Sequence, residues 1–297
     1  MKYHYYKSSM FLFFLIVLTL QLDGQIGDKS KFIARAYQPG PGGSNRILIA
    51  TNGRTTMDSL PDFDRIEDVT WERGGSGAFM LAYRNEMGYV IKTDSSYAVV
   101  DTVLFLFERF YRLSVSHKKK LVAMSNYEHC YYFNPQTKEM KRIPIEFEYD
   151  YSFRVSEHSW SINEDCLLIM KEEPKGQIIL WDILTNEADL LEFPRLSWAT
   201  WDIRGEKILL ISEEKLLEYD PRHKSTRELS DLHRATIFFA EHPRMFHLST
   251  HGDKVIVSYE YADFPFLDYD YYLVDLSTGK RKSMPENFPF YRKISWK

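Results

Sequence analysis

The strongest constraint in this chain is internal repetition. One unit recurs: a short strand pattern ending near an aromatic residue, a polar turn, and a strongly apolar strand. A third strand follows, and an Asp- or Asn-led turn leads into a fourth. The clearest copy starts at His158 and reads HSWSINED, CLLIMKE, QIILWDILTNE, ADLLEF. The next, from Ala199, reads ATWDIRGE, KILLISEE, KLLEYDPRHKS, TRELS. Upstream copies open at Val69 (VTWERGGSG, AFMLAYR, GYVIKTDSSY, AVVDTV) and at Arg112 (RLSVSHKK, LVAMSN, HCYYFNPQTKE, MKRIPI). A downstream copy opens at Phe246 with FHLSTHGD, KVIVSYEY, YYLVDLSTGK and RKSM. Trp71 and Trp160 are 89 residues apart, two periods of about 44, and Trp160 to Trp201 is 41. A unit of this size cannot bury its apolar faces alone and has to stack on neighbours.

The turns support the register. Asn134, Asp182, Asp220 and Asp275 each end a third strand, where a short carboxylate or amide can bond main chain two residues ahead. Gly205, Gly252 and Gly279 stand at turn positions where positive φ is easy. Beyond the N-terminus no segment keeps a 3.6-residue apolar spacing over helix length, so an all-β chain is expected. The N-terminal part supplies KFIARAY, RILIATNGRT and a weak third strand near Met57–Leu60, without an opening strand. YRKISWK at the C-terminus reads as an opening strand with nothing after it. Joined, the two ends complete one blade and leave no exposed sheet edge. The expectation is therefore a six-bladed β-propeller of four-stranded antiparallel blades. The blades span about 31–62 plus 288–297, 66–103, 110–147, 155–193, 197–230 and 240–285.

The unit resembles the TolB-type, WD40-like (PD40) propeller repeat. The matching residues are Trp160-Ser161-Ile162-Asn163-Glu164-Asp165, Leu180-Trp181-Asp182-Ile183-Leu184-Thr185-Asn186, Trp201-Asp202-Ile203-Arg204-Gly205 and Leu273-Val274-Asp275-Leu276-Ser277-Thr278-Gly279. No copy keeps the full Ser-Pro-Asp-Gly turn of that repeat, and Ser116-His117-Lys118-Lys119 replaces it in the third. The resemblance implies a propeller over residues 31–297 and names no partner.

Composition narrows the function classes. Net charge is -4 with acids and bases interspersed, so nucleic acid is not an expected partner. The run Lys118-Lys119-Lys120 reads as a solvated turn. At the N-terminus Lys2 and Lys7 precede the apolar stretch Met10–Leu20, followed by Gln21 and Asp23. Its eleven residues reach only about 16 Å as a helix, short of a bilayer core of roughly 30 Å. A signal peptide over 1–25, cut near Gly24 or Gln25, is expected, with an uncleaved anchor as the rival. Residues 26–297 then form one exported, soluble, monomeric domain in the periplasm or outside the cell. The two cysteines, Cys130 and Cys166, fall in strand patterns of neighbouring units and read as buried free thiols, a bridge being the alternative.

In propellers of this type the crossings between blades, and the loops joining second to third strands, open on one face. Two such segments combine acids with aromatics. One holds Tyr149, Asp150 and Tyr151 in the third-to-fourth crossing; the other holds Asp263, Phe264, Phe266, Asp268, Tyr269 and Asp270 in the longest insertion, within the sixth blade. Aromatic rings with carboxylates suit a protein, peptide or glycan. Other crossings add Phe105, Phe107, Phe110, Tyr111, Phe238, Phe239, Phe288 and Phe290, read mainly as packing between blades.

Catalytic signals are sparse. There is no Gly-x-Ser-x-Gly elbow, and Gly74-Gly75-Ser76-Gly77 opens no helix. His233, His242, His247 and His251 lack metal-ligand spacing, and Asp263, Asp268 and Asp270 lack the spacing of a calcium loop. No cofactor and no metal are expected. The leading expectation is a non-enzymatic binding or scaffold propeller. The alternative is a lyase or hydrolase acting on polysaccharide or peptide at the channel mouth, with His158 or His242 beside carboxylates.

Overall fold

A computed structural model describes residues 31–35, 46–51, 54–72, 77–116, 118–126, 128–145, 153–154, 159–171, 176–202, 204–232, 243–248, 253–263, 266–283 and 294–296. These contain strands and turns without a helix. Strands β1 (Lys31–Arg35), β2 (Arg46–Thr51) and β3 (Arg54–Ser59) begin the first sheet. The second is β4 (Arg65–Trp71), β5 (Ala78–Arg84), β6 (Met87–Thr93) and β7 (Val99–Leu106). The third is β8 (Arg112–Val115), β9 (Val122–Ser125), β10 (Cys130–Asn134) and β11 (Glu139–Arg142). The fourth is β12 (Phe153–Arg154), β13 (Cys166–Lys171), β14 (Gln177–Asp182) and β15 (Ala188–Glu192). The fifth is β16 (Leu196–Trp201), β17 (Ile208–Ser212), β18 (Lys215–Asp220) and β19 (Ser225–Asp231). The sixth is β20 (Pro243–Leu248), β21 (Lys254–Asp263), β22 (Phe266–Asp275) and β23 (Arg281–Ser283). The last strand, β24 (Ile294–Trp296), returns to the first sheet, giving the order β24-β1-β2-β3.

Every ladder is antiparallel between neighbours in sequence except β24 with β1, which joins the two chain ends. Opening strands of successive sheets touch: β20 meets β24, β24 meets β4, and β4 meets β8. The sheets are therefore blades around a common centre, a β-propeller. Backbone register shows why tryptophan marked the period. Trp71 pairs with Ala78, Trp160 with Leu167, Trp201 with Ile208 and Trp296 with Phe32. Trp71, Trp201 and Trp296 are the last positions of their opening strands, and Trp160 makes an isolated bridge at the corresponding place. The C-terminal strand thus occupies the register expected of an opening strand.

Alternate residues of each strand feed opposite seams. In the second blade Met80, Ala82 and Ile91 join Ile47, Leu60 and Phe63 on the side of the first blade. Phe79, Leu81 and Val90 join Leu113, Val122 and Met124 on the side of the third. Cys130 packs between the third and fourth blades, whereas Cys166 packs in a cluster reaching the fifth, so the two thiols stay free. Burial raises the pKa of both: Cys166 to about 12, with Asp165, Asp182 and Asp189 adding to it, and Cys130 further.

The turns after the third strands follow the chemistry read from sequence. Oδ1 of Asn134 accepts from the Gln136 amide at 2.9 Å, and Asp182, Asp220 and Asp275 accept from Leu184, Arg222 and Ser277 at 2.7, 2.9 and 3.0 Å. Asp94 forms the same turn on Ser96, at 2.8 Å. Hydrogen bonds from the Ser277 hydroxyl and then from Thr278 hold the Asp275 carboxyl down at about 2. Gly205 and Gly279 take φ of +69° and +68°, as their turns require; Gly252 lies outside the described residues.

Two local readings change. The opening of the fourth blade is not a continuous strand through Trp160: the ladder is made by Phe153–Arg154, and Trp160 makes a separate bridge to Leu167. The Lys118-Lys119-Lys120 turn is exposed as expected for its first two side chains, yet its main chain is a clasp. The amides of Lys118 and Lys119 donate to the buried Glu164 carboxylate of the fourth blade, the latter at 2.6 Å. Lys120 Nζ reaches Glu72 of the second blade at 3.1 Å.

Candidate binding face

Among the described residues, antiparallel pairing puts the crossing from Phe107 to Tyr111, the turn at Asn85 and Glu86 and the turn after Ser125 at one end of the second and third blades. Of the residues expected to bind, Tyr149, Asp150, Tyr151 and Phe264 lie outside the described residues. Asp263, Phe266, Asp268, Tyr269 and Asp270 do not form a loose loop. They extend a ladder of two ten-residue strands, in which Asp263 pairs with Phe266, Tyr261 with Asp268, Glu260 with Tyr269 and Tyr259 with Asp270. Alternating β-formers (Val, Tyr and Phe) on both strands explain why ladder prevails over loop here.

The best-described part of this face is the crossing between the second and third blades. Its anchor is Phe110, fully buried. Tyr83 secures it: the phenol oxygen accepts from the Phe110 amide at 2.7 Å and its hydroxyl donates to the Phe110 carbonyl at 3.1 Å. Burial raises the Tyr83 phenol to about 12, so it stays protonated and can serve both groups. One residue pair further, Asp68 Oδ2 accepts from the Leu113 amide at 2.7 Å across the same seam, and its Oδ1 from Val69 at 2.9 Å.

On that fixed base the preceding residues project outward. Phe105 is 63% exposed and Phe107 69%, unusual for phenylalanines in a packed fold. Phe105 meets the edge of Tyr89 at 5.3 Å between ring centroids, and Tyr89 meets Phe63 at 5.6 Å. Phe107 meets Tyr131 at 5.7 Å, and Tyr131 also contacts Phe110 and His129 at 5.6 and 5.9 Å. Between these rings Glu108 Oε2 accepts from Asn126 Nδ2 at 3.0 Å and faces His129 Nδ1 at 3.0 Å. Burial, and then the carboxylate of Glu108, raise the pKa of Tyr131. The arrangement is an aromatic surface with a carboxylate set in it, suited to apolar side chains and hydrogen-bond donors.

Phe105 and Phe107, read from sequence mainly as packing, are thus the exposed members of their crossing, while Phe110 packs inside. Tyr131, His129 and Asn126 escaped sequence reading because nothing local sets them apart; they reach Glu108 only through blade stacking. Among the described residues no group of three His, Cys, Asp or Glu is placed to hold a metal. His158, His233, His242 and His251 lie outside them, and His247 falls within β20.

No protein-family model and no curated protein matches the sequence. Solved structures do. TolB of Acinetobacter baumannii superposes with a TM-score of 0.64 at 14% identity, over 93% of this chain and 68% of that one. A protein assigned as TolB from Agrobacterium tumefaciens gives 0.56 at 15%, over 86% and 88%. A chain of a nidogen/laminin complex gives 0.59 at 7%, over 90% and 97%. In fold, this chain is a β-propeller similar to TolB.

Proposed function

We propose that the chain is an exported, non-enzymatic binding propeller that holds a protein or peptide segment on the face carrying its blade crossings. One observation carries this reading: Phe105 at the end of β7 and Phe107 just after it present rings that are 63% and 69% exposed, close in sequence to the anchored Phe110. Large apolar groups kept in water on a fixed base mark interaction surfaces. A peptide is favoured over a glycan because the neighbouring rings meet edge to face, at 63° and 84°, leaving apolar walls rather than a flat stacking platform with polar donors. Tyr149, Asp150, Tyr151 and the stretch from Asp263 to Asp270, the acidic-aromatic segments of the sequence, would extend the contact. Export follows from the basic and apolar pattern of residues 2–25.

The test is an affinity capture from the cell envelope, repeated with F105A/F107A and with Tyr149, Tyr151, Phe264 and Tyr269 replaced by alanine. The wild-type chain should retain a protein partner that F105A/F107A loses by about tenfold or more, as truncating paired aromatic anchors does. An unchanged set of partners in both variants would remove this face from the function.

A further inference from the structure

We propose that the seam between the second and third blades receives a basic side chain, lysine or arginine, of the bound protein. The inference rests on the binding face argued above and names the chemistry that its carboxylate selects. Oε2 of Glu108 takes Asn126 and His129, each at 3.0 Å, and the Tyr131 phenol bears on the same carboxylate. Its Oε1 is shut off from water and has no hydrogen-bond partner. A buried acceptor left unpaired calls for a donor. The surroundings suit a cationic one. Tyr131 gathers Phe107, Phe110 and His129 around it within 5.9 Å, and ring faces attract ammonium and guanidinium groups. Phe107 is the member open to solvent, and it would turn aside for an incoming side chain.

Among the described residues no lysine or arginine pairs with Glu108, whose basic neighbour is His129. Arg109 lies over Tyr111 at 5.1 Å, and Arg142 stands opposite Tyr131 in the ladder; neither pairs with Glu108. The neighbouring seam shows the contrast. There the rings of Tyr89 and Phe63 already carry Arg84, 5.4 and 6.0 Å from their centroids. One aromatic seam is occupied by an internal guanidinium, and the other keeps a carboxylate oxygen for an external one. The chain's net charge of -4 also favours a basic partner at long range.

The experiment uses the full mature chain and two probes, N-acetyl-arginine amide and its neutral isostere N-acetyl-citrulline amide, observed by saturation-transfer NMR. The arginine probe should give transfer from the wild-type chain that drops about tenfold in E108Q, the loss expected of one charge-assisted hydrogen bond. The citrulline probe should give correspondingly little on the wild type, a comparison that needs no variant to fold. Equal transfer to both probes, transfer unchanged in E108Q, or none from the arginine probe overturns the inference. Partner capture separates the two proposals. If F105A/F107A loses the captured protein and E108Q keeps it, the face stands and the basic side chain does not. If both variants keep it, both readings fall.

Discussion

The seam between the second and third blades and the seam between the fourth and fifth solve one packing problem with different chemistry. The second-third seam combines its apolar cluster with side chains that cross over to main chain, Asp68 to the Leu113 amide and Tyr83 to both polar groups of Phe110, and with the ion pair of Lys120 and Glu72. The fourth-fifth seam is a larger apolar cluster in which Leu168, Met170 and Ile178 meet Leu196, Trp198, Trp201 and Leu210. Among the described residues its polar links include the Ser212 hydroxyl on the Pro194 carbonyl of the crossing and one from main chain to main chain, the Ile162 amide on the Gly205 carbonyl at 3.0 Å. That approach depends on glycine: a Cβ at Gly205 would stand 2.4 Å from the Ile162 nitrogen. Apolar contact is non-directional, so it supplies energy with little positional definition. Hydrogen bonds have narrow geometry and fix where a segment sits. The exposed Phe107 and the half-buried Glu108 stand beside the seam that is fixed in this way.

The comparison breaks first on energy. L210A, at a fully buried position of the apolar seam, should cost about 2–5 kcal/mol in denaturant unfolding through lost transfer energy and the cavity left behind. D68A should cost less, about 1–3 kcal/mol, by stranding the buried Leu113 amide. It should also raise hydrogen exchange at residues 107–113 ahead of the rest of the chain. If D68A costs as much as L210A and exchange rises evenly, the polar bridges carry energy rather than position.

The smallest expected effect lies at Glu72. Burial raises its carboxyl pKa, but Lys92 and Lys120, at 2.9 and 3.1 Å, outweigh this and bring it below its ordinary 4.5. A carboxyl whose folded pKa is depressed stabilises above its unfolded value, and that contribution is lost as pH falls through the folded one. E72Q should therefore be less stable than wild type by up to about 1 kcal/mol above pH ~5, the two converging below pH ~4. Thermal melts from pH 3 to 7 check this. A gap that persists at pH 3 would mean the pair contributes through packing and not charge.

Reading the site from sequence succeeded where the signal was local and failed where it was not. Asn134, Asp182, Asp220 and Asp275 act on main chain two or three residues away, so their turns were visible in the string. The stretch from Asp263 to Asp270, read as part of the longest insertion between strands, instead pairs within a ladder of two equal strands. Glu108 with Asn126 and His129 spans 18 and 21 residues, Tyr83 with Phe110 spans 27, and Asp68 with Leu113 spans 45. No periodicity brings such pairs together.

By itself, then, the sequence determined the period, the four-strand unit, the Asx turns and the complementary chain ends, since each depends on neighbours within one blade or on alternation along a strand. Only the tertiary structure decided which aromatics are buried and which face water, which carboxylate oxygens are spent, and where the lysine turn is clasped. Those outcomes arise between blades. A seam joins side chains from two units whose separation in sequence carries no signature, and the balance of burial against hydrogen bonding is struck there.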